Sequence, residues 1–210
     1  MKRSDLQLYF IMGTANVKNR QPLEILESAL QAGITMFQFR EKGQQALTNE
    51  HYEQFARQCQ NLCRKYNVPF IVNDDIDLAL KLKADGLHIG QDDHPISLVR
   101  QKIGQMILGV SVHTATELQI ALTYGADYVG IGPIYATTSK SDAKPPSGTE
   151  FLQQARNMYP QLPIVAIGGI DCNNALAVFK AGADGVAVIS AICESNDIQK
   201  TVSTFKSLSL

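Results

Sequence analysis

The chain has 210 residues, is 45% hydrophobic, and sets 19 Lys+Arg against 20 Asp+Glu for a formal net charge of -1. So even a balance leaves no broad electropositive face to neutralise the phosphates of a nucleic acid, and the length suits one domain spanning 1–210 with a substantial core. The opening MKRSDLQLYFIMG places basic residues before an apolar run too short for a signal-peptide core or a membrane span, so a cytoplasmic protein with no membrane partner is expected.

Apolar and β-branched runs predict strands at 7–12, 35–39, 69–72, 86–89, 107–110, 127–131, 163–167 and 185–189. Amphipathic segments separate them: PLEILESALQAG after the first run, TNEHYEQFARQCQNLCRKYN after the second, then DLALKLKA, PISLVRQKIG, TATELQIALTYG, TEFLQQARNMY, NNALAVFKAG and a terminal IQKTVSTFKSL. Thr114 and Glu117 have capping-box spacing, and Pro95 stands where a first helical turn accepts proline. Cys59 and Cys63 fall four apart, and Cys172 and Cys193 stand alone. Without a C-x-x-C pair or a histidine partner, they read as reduced, mostly buried thiols rather than a zinc site.

One phrase recurs along this order: LKADGLHIG at 82–90, YGADYVGIG at 124–132 and KAGADGVAVI at 180–189, with a fainter echo in QAGITMFQF. Each is a helix end, a small-residue stop and a β-branched run. That is the signature of a βα repeat whose strands are covered on both faces. Eight such strands alternating with helices imply a single-domain α/β (β/α)8 TIM barrel, small for its class, with a doubly wound open sheet as the competing arrangement.

In such a barrel the loops after the strands form the active face, and polar groups stand at nearly every one of these positions. Gln38-Phe39-Arg40-Glu41-Lys42 follows the second strand, Asn73-Asp74-Asp75 the third and Gly90-Gln91-Asp92-Asp93 the fourth. The fifth ends at Ser111-Val112-His113, the seventh at Gly168-Gly169-Ile170 and the eighth at Ile189-Ser190. After the sixth comes TTSKSDAKPPSG, in which Thr137, Thr138, Ser139 and Lys140 are poor core material and good phosphate ligands. Taken singly, each group has a plain structural explanation: Asn73 to Asp75 as helix caps, His88 as a hydrogen-bonded core residue, His113 as a helix-entry residue, Arg40 to Lys42 as a solvated turn. Their coincidence at one rim favours a site.

The charges suit pyrophosphate chemistry. Asp74 and Asp93 supply hard oxygens of the kind that hold Mg2+ beside a substrate phosphate. With Arg40, Lys42 and Lys140, the set would leave about +3 facing a pyrophosphate. The glycines after the seventh strand and the backbone after the eighth occupy the usual phosphate-binding corner of a barrel, which suggests a second phosphorylated ligand.

FQFREK, VNDDIDLAL, ADGLHIGQDD, GVSVHT, GADYVGIGPIYATTSK, IVAIGGI and AGADGVAVIS together resemble the thiamine-phosphate synthase family over nearly the whole chain. The departures are small: the family commonly has leucine at Phe39, arginine at Asp75 and threonine at Ser139. The resemblance implies a transferase that condenses 4-amino-2-methyl-5-(diphosphooxymethyl)pyrimidine with thiazole phosphate. Thiamine phosphate forms and pyrophosphate leaves in a dissociative substitution, with Mg2+ on Asp74 and Asp93. It further implies that Gln38, Phe39, Arg40, Glu41, Lys42, Asn73, Ser111 and Lys140 meet the pyrimidine substrate, with Arg40, Lys42, Ser111 and Lys140 serving catalysis. Thr137, Thr138, Ser139, Gly169, Ile189 and Ser190 would hold the thiazole phosphate, and SDAKPPSG would form a flexible lid. The rival within the resemblance is a thiazole tautomerase paralogue using His113 as proton carrier, against which the full charged set argues. A phosphate-sensing regulator would have lost that set, and a Schiff-base aldolase would need a lysine inside the barrel.

Overall fold

A computed structural model describes residues 1–91, 93–139 and 144–209. β1 (Leu8–Met12) is followed by α1 (Pro22–Ala32), β2 (Met36–Phe39) by α2 (Asn49–Lys65), and β3 (Phe70–Asn73) by α3 (Ile76–Leu82). Next come β4 (Gly86–Ile89) with α4 (Ile96–Ile103), β5 (Ile107–Val112) with α5 (Ala115–Thr123), and β6 (Tyr128–Ile131) with α6 (Glu150–Met158). β7 (Ile164–Ile167) leads to α7 (Ala175–Lys180), and β8 (Gly185–Val188) to the one-turn α8 (Ser190–Cys193) and the terminal α9 (Ile198–Leu208).

Each strand pairs in parallel with its sequence neighbours, and β1 pairs with β8, so the sheet closes into a barrel. The open doubly wound sheet is thereby excluded. β5 runs two residues further than the apolar pattern implied, because Ser111 and Val112 pair with Gly130 and Ile131 of β6. α8 had no sequence signal of its own; it is a single turn that begins at Ser190.

The core lies between strands and helices as well as inside the barrel. Phe10, Phe37, Phe70 and Phe39 form a run of tilted ring contacts at centroid separations of 5.8 to 6.2 Å, and Phe39 also packs on Tyr52 and Phe55 of α2. These alternate residues face the helices, as the two-residue period of a strand requires. Cys59, Cys63 and Cys193 are buried, and all four cysteines are free. Burial pushes the Cys193 thiol up to about 12, so it stays protonated.

Helix caps follow local rules with one correction. Glu117 N–H donates to Thr114 Oγ1 at 3.1 Å as expected, but the Glu117 carboxylate accepts from His113 N–H at 2.6 Å instead of from Thr114. The reciprocal half of the capping box is displaced by one residue. Pro95 is the residue immediately before α4, not inside it.

The repeated phrase has a structural cause at the closed end of the barrel, away from the rim. The Asp85 carboxylate accepts from Phe70 N–H at 2.8 Å, Asp127 from Leu108 N–H at 2.8 Å, and Asp184 from Ile164 N–H at 2.7 Å. Thr35 Oγ1 accepts from Leu8 N–H at 2.9 Å, which accounts for the weaker echo. In every case the same residue returns its own N–H to that partner's carbonyl, at 2.8 to 3.1 Å. Each even strand is therefore latched to the start of the odd strand before it.

Two latches are reinforced by arginine. Arg156 bonds the Asp184 carboxylate at 2.6 Å and the carbonyls of Gly182, Pro160 and Leu162 at 2.8 to 2.9 Å. Arg100 does the same for Asp127 at 2.7 Å. Replacing Arg156 with Ala orphans several acceptors at once and should cost about 2–4 kcal/mol in denaturant unfolding. The turnover rate should be unchanged, because Asp184 keeps its own two bonds to Ile164 and the latch itself stays closed.

Candidate active site

A cavity of about 380 Å3 opens at the C-terminal ends of the strands. Its wall takes Arg40 and Lys42 from the β2 loop, Asn73 and Asp74 from β3, Asp93 from β4, Ser111 and His113 from β5, Thr137 and Ser139 after β6, Gly168 and Gly169 after β7, and Ile189 and Ser190 after β8. A second hollow, of about 300 Å3, lies at the other end of the barrel beside Arg3, Gln7 and Asp184 and lacks this convergence of strand-end residues.

The cationic side is held in place by β1. Arg40 N–H donates to Met12 O at 3.0 Å, and a Cβ on Gly13 would stand 2.1 Å from Arg40 O, so only glycine lets the two backbones meet. Glu41 folds back the other way: its carboxylate accepts from Thr14 N–H at 2.7 Å, from the Thr14 hydroxyl, and from Leu47 N–H at 2.9 Å. It therefore pins the β1 and β2 loops together and is absent from the cavity wall. Phe39 likewise lies among the rings under α2, and Gln38 is buried in the barrel below the cavity, donating to the Tyr9 hydroxyl.

The acidic pair converges. Lys42 Nζ forms an ion pair with Asp74 and lies 3.8 Å from Asp93 Oδ1. Asp74 is aimed by a backbone in the left-handed region, φ 62, with its N–H donated to His88 O at 2.9 Å. A non-glycine residue held there costs strain, which is commonly stored at functional positions. Asn73 Nδ2 donates to the Asp74 carboxylate at 2.5 Å, and Gly90 N–H donates to Asp93 at 2.8 Å. Burial raises the Asp74 carboxyl above its ordinary value, against the pull of Lys42. For Asp93, burial is outweighed by the hydrogen bond from Asp74, by Gly90 N–H and by Lys42, so that carboxyl is held low. Two carboxylates close enough to share a proton, flanked by one lysine, form a hard-oxygen donor set that suits a small divalent cation in the proton's place.

Asp75 behaves differently from its neighbours. Its carboxylate accepts from Leu78 N–H at 2.8 Å as the cap of α3 and from the Tyr52 hydroxyl at 3.1 Å. The aspartate at this position is therefore a helix cap, off the cavity wall.

The opposite wall is built from main chain. Gly168 and Gly169 both have positive φ, 103 and 61, and bring the β7 loop against the β6 loop. Tyr135 N–H donates to Gly168 O at 2.9 Å. Thr137 and Ser139 lie on this side, with Ser139 N–H donating to Thr137 Oγ1 at 3.2 Å. Thr138 is not part of the wall. Glycine backbone and hydroxyls, with no carboxylate among the described residues on this side of the wall, suit a phosphate monoester.

Ser111 sits between the two sides, its hydroxyl 2.9 Å from His88 Nε2 and its carbonyl accepting from Gln91 Nε2 at 2.6 Å. His113 Nδ1 is 3.1 Å from the Glu117 carboxylate and 3.4 Å from Lys144 Nζ. Gln91, which the sequence places in the fourth strand-end group without a role, and Lys144, which it does not single out, also line the cavity. Lys144 belongs to the same polar stretch as TTSK, so its place in that loop was the available signal. Lys140 lies outside the described residues, as do positions 141–143 of the expected lid; Ser147 and Gly148 are tied back to Pro133 O and Ile134 O at 2.9 and 3.1 Å.

A family model described as thiamine monophosphate synthase matches residues 8–192. Thiamine-phosphate synthase of Lysinibacillus sphaericus is 70% identical over 208 residues, covering 99% of this chain and 98% of that protein. Thiamine-phosphate synthase of Bacillus mycoides is 54% identical over 187 residues, 89% of this chain and 85% of its own. Among solved structures, the thiamine phosphate pyrophosphorylase of Pyrococcus furiosus superposes with a TM-score of 0.86 at 32% identity, covering 98% of this chain and 96% of that one.

Proposed function

Because the chain belongs to the thiamine monophosphate synthase family and is thereby a transferase of thiamine biosynthesis, we propose that its cavity joins the pyrimidine pyrophosphate to the thiazole phosphate. The observation that carries this reading is the division of one rim into two unlike walls. Lys42, Asp74 and Asp93 converge on one side, and the glycine turns with Thr137 and Ser139 form the other.

Asp74 and Asp93 would hold Mg2+, which when bound offsets the charge of the departing pyrophosphate. Arg40 and Lys42 bind and orient the same group, with Asn73 fixing Asp74 in its rotamer. The bond between the pyrimidine methylene carbon and the pyrophosphate oxygen breaks with its electron pair going to oxygen. The aminopyrimidine ring delocalises the positive charge left on the methylene. The thiazole nitrogen then supplies the pair that forms the new C–N bond. No side-chain nucleophile is needed, and the chain contributes positioning and electrostatic stabilisation. The amide wall holds the thiazole phosphate so that its nitrogen faces the methylene, and a filled cavity keeps water from capturing the cation.

Incubation with both substrates and Mg2+ should yield thiamine phosphate and pyrophosphate in equal amounts, detected by chromatography. Omitting Mg2+ should abolish both. Conversion of the thiazole between isomers with no coupled product would instead favour the tautomerase, with His113 as its proton carrier.

A further inference from the structure

A row of polar side chains crosses the barrel beneath the cavity, where a fold of this kind otherwise packs branched apolar residues. Gln38 Nε2 donates to the Tyr9 hydroxyl at 2.9 Å, and the Tyr9 and Tyr128 hydroxyls meet at 2.8 Å. The Tyr128 hydroxyl meets His88 Nδ1 at 3.0 Å, and His88 Nε2 meets Ser111 Oγ at 2.9 Å. Tyr9 and Tyr128 are 1% and 0% exposed, so these hydroxyls have only protein partners. Gly109 makes the room: a Cβ there would fall 2.1 Å from Tyr128 Cζ and 2.5 Å from His88 Nδ1. The next glycine round, Gly130, would place a Cβ 3.3 Å from His88 Cε1.

We propose that this row of hydrogen bonds runs in one direction and commits the Ser111 hydroxyl to donate its proton into the cavity, with Tyr9, Tyr128 and His88 as positioning residues for Ser111. The inference rests on the reading that Ser111 faces the pyrimidine substrate. The direction follows from donor and acceptor capacity. An amide nitrogen only donates, so Tyr9 oxygen accepts from Gln38 and spends its own O–H on Tyr128. Tyr128 then gives its O–H to His88 Nδ1. A neutral imidazole that accepts at Nδ1 carries its hydrogen on Nε2, and that hydrogen goes to Ser111 Oγ. The Ser111 O–H is the last donor in the row and is left for the ligand.

The orientation of the Gln38 amide starts the sequence. As it stands, Oε1 is the buried atom without a hydrogen-bond partner among the described residues. One Nε2 hydrogen is bonded to Tyr9; turned over, the amide would leave both hydrogens unbonded and bond the oxygen instead, and an unpaired buried N–H is the rarer arrangement. A serine held as donor selects a ligand atom with a free lone pair, such as an unprotonated ring nitrogen, and disfavours an N–H at the same place.

The test reads the His88 tautomer by NMR of protein labelled with 15N in its imidazoles, His88 being assigned by loss of its signal in His88→Gln. The expected state has hydrogen on Nε2 and none on Nδ1; hydrogen on Nδ1 overturns the proposal. Gln38→Met removes the donor that starts the row while keeping the side chain's length, so the direction is no longer imposed and a mixture of the two tautomers is expected. A folded Gln38→Met protein that keeps the single Nε2–H tautomer also overturns it. Should that variant not fold, Tyr128→Phe decides. Cutting the row there should give a mixture of tautomers and a kcat about five- to tenfold lower, with KM for the thiazole phosphate unchanged. A single Nε2–H tautomer with full kcat in Tyr128→Phe overturns the proposal. Ser111→Ala separates the two readings. Wild-type coupling in that variant removes the substrate role of Ser111 and the positioning role with it, whereas lost coupling alongside the wrong tautomer overturns the row alone.

Discussion

Asp93→Asn should lower the rate of thiamine phosphate formation by about a hundredfold or more, because it removes one of the two hard-oxygen ligands proposed for Mg2+ while keeping the side chain's shape. Asparagine is the informative replacement. Asp93 accepts from Gly90 N–H at 2.8 Å, and the Asn carbonyl can take over that bond, so the β4 loop stays in place. Alanine would drop both the charge and the loop contact and leave the cause of a rate loss open. The melting temperature should move by no more than about 2 °C, since the residue lies on the rim and the bond from Gly90 N–H is kept. The Mg2+ concentration needed for half-maximal rate should rise in parallel. Unchanged turnover and unchanged metal dependence would remove Asp93 from the proposed metal site and leave it an ion-pair partner of Lys42, 3.8 Å away.

The second large effect is expected at Gly169. Its φ of 61 lies in the left-handed region, and a Cβ there would stand 2.4 Å from Ala136 O and 2.9 Å from Tyr135 Cβ. Neither neighbour is the far end of a flexible side chain, so Gly169→Ala must push the β6 loop, with Thr137 and Ser139 behind it, away from the β7 turn. A backbone penalty of about 2–3 kcal/mol falls on the wall proposed to hold the thiazole phosphate. Its KM should rise about thirty- to a hundredfold, while the KM of the pyrimidine substrate changes little. Equal losses for both substrates would mean that the two walls do not divide the substrates as proposed.

Much of the barrel was legible because parallel strands buried on both faces are written as continuous β-branched runs, and each run here starts within a residue of its strand. Helix starts were legible where a polar cap was local, as at Thr114. The rim was legible as clusters, and less so residue by residue. In FQFREK the two-residue period of a strand already separates Gln38, Arg40 and Lys42 from Phe39 and Glu41, and the structure sends those two sets to opposite sides. Asp75 was ambiguous because helix capping and ligand binding both favour aspartate at a strand-to-helix turn, and here capping won. The Tyr9–Tyr128 pair could not be read at all. Its members are 119 residues apart, and only the register of a closed sheet brings their hydroxyls together.

The four latches at the closed end carry a consequence for the chemistry at the open one. They tie β1 to β2, β3 to β4, β5 to β6 and β7 to β8, and the residues proposed for each task sort along the same boundaries. The cations Arg40 and Lys42 stand on the first pair, the carboxylates Asp74 and Asp93 on the second, Ser111 and Thr137 on the third, and Gly169 and Ser190 on the fourth. The barrel is thus a ring of four clamped tweezers, each with its hinge at one end and its own implement at the tips. Slackening one hinge, such as that at Asp85, would blunt one implement and leave the other three sharp.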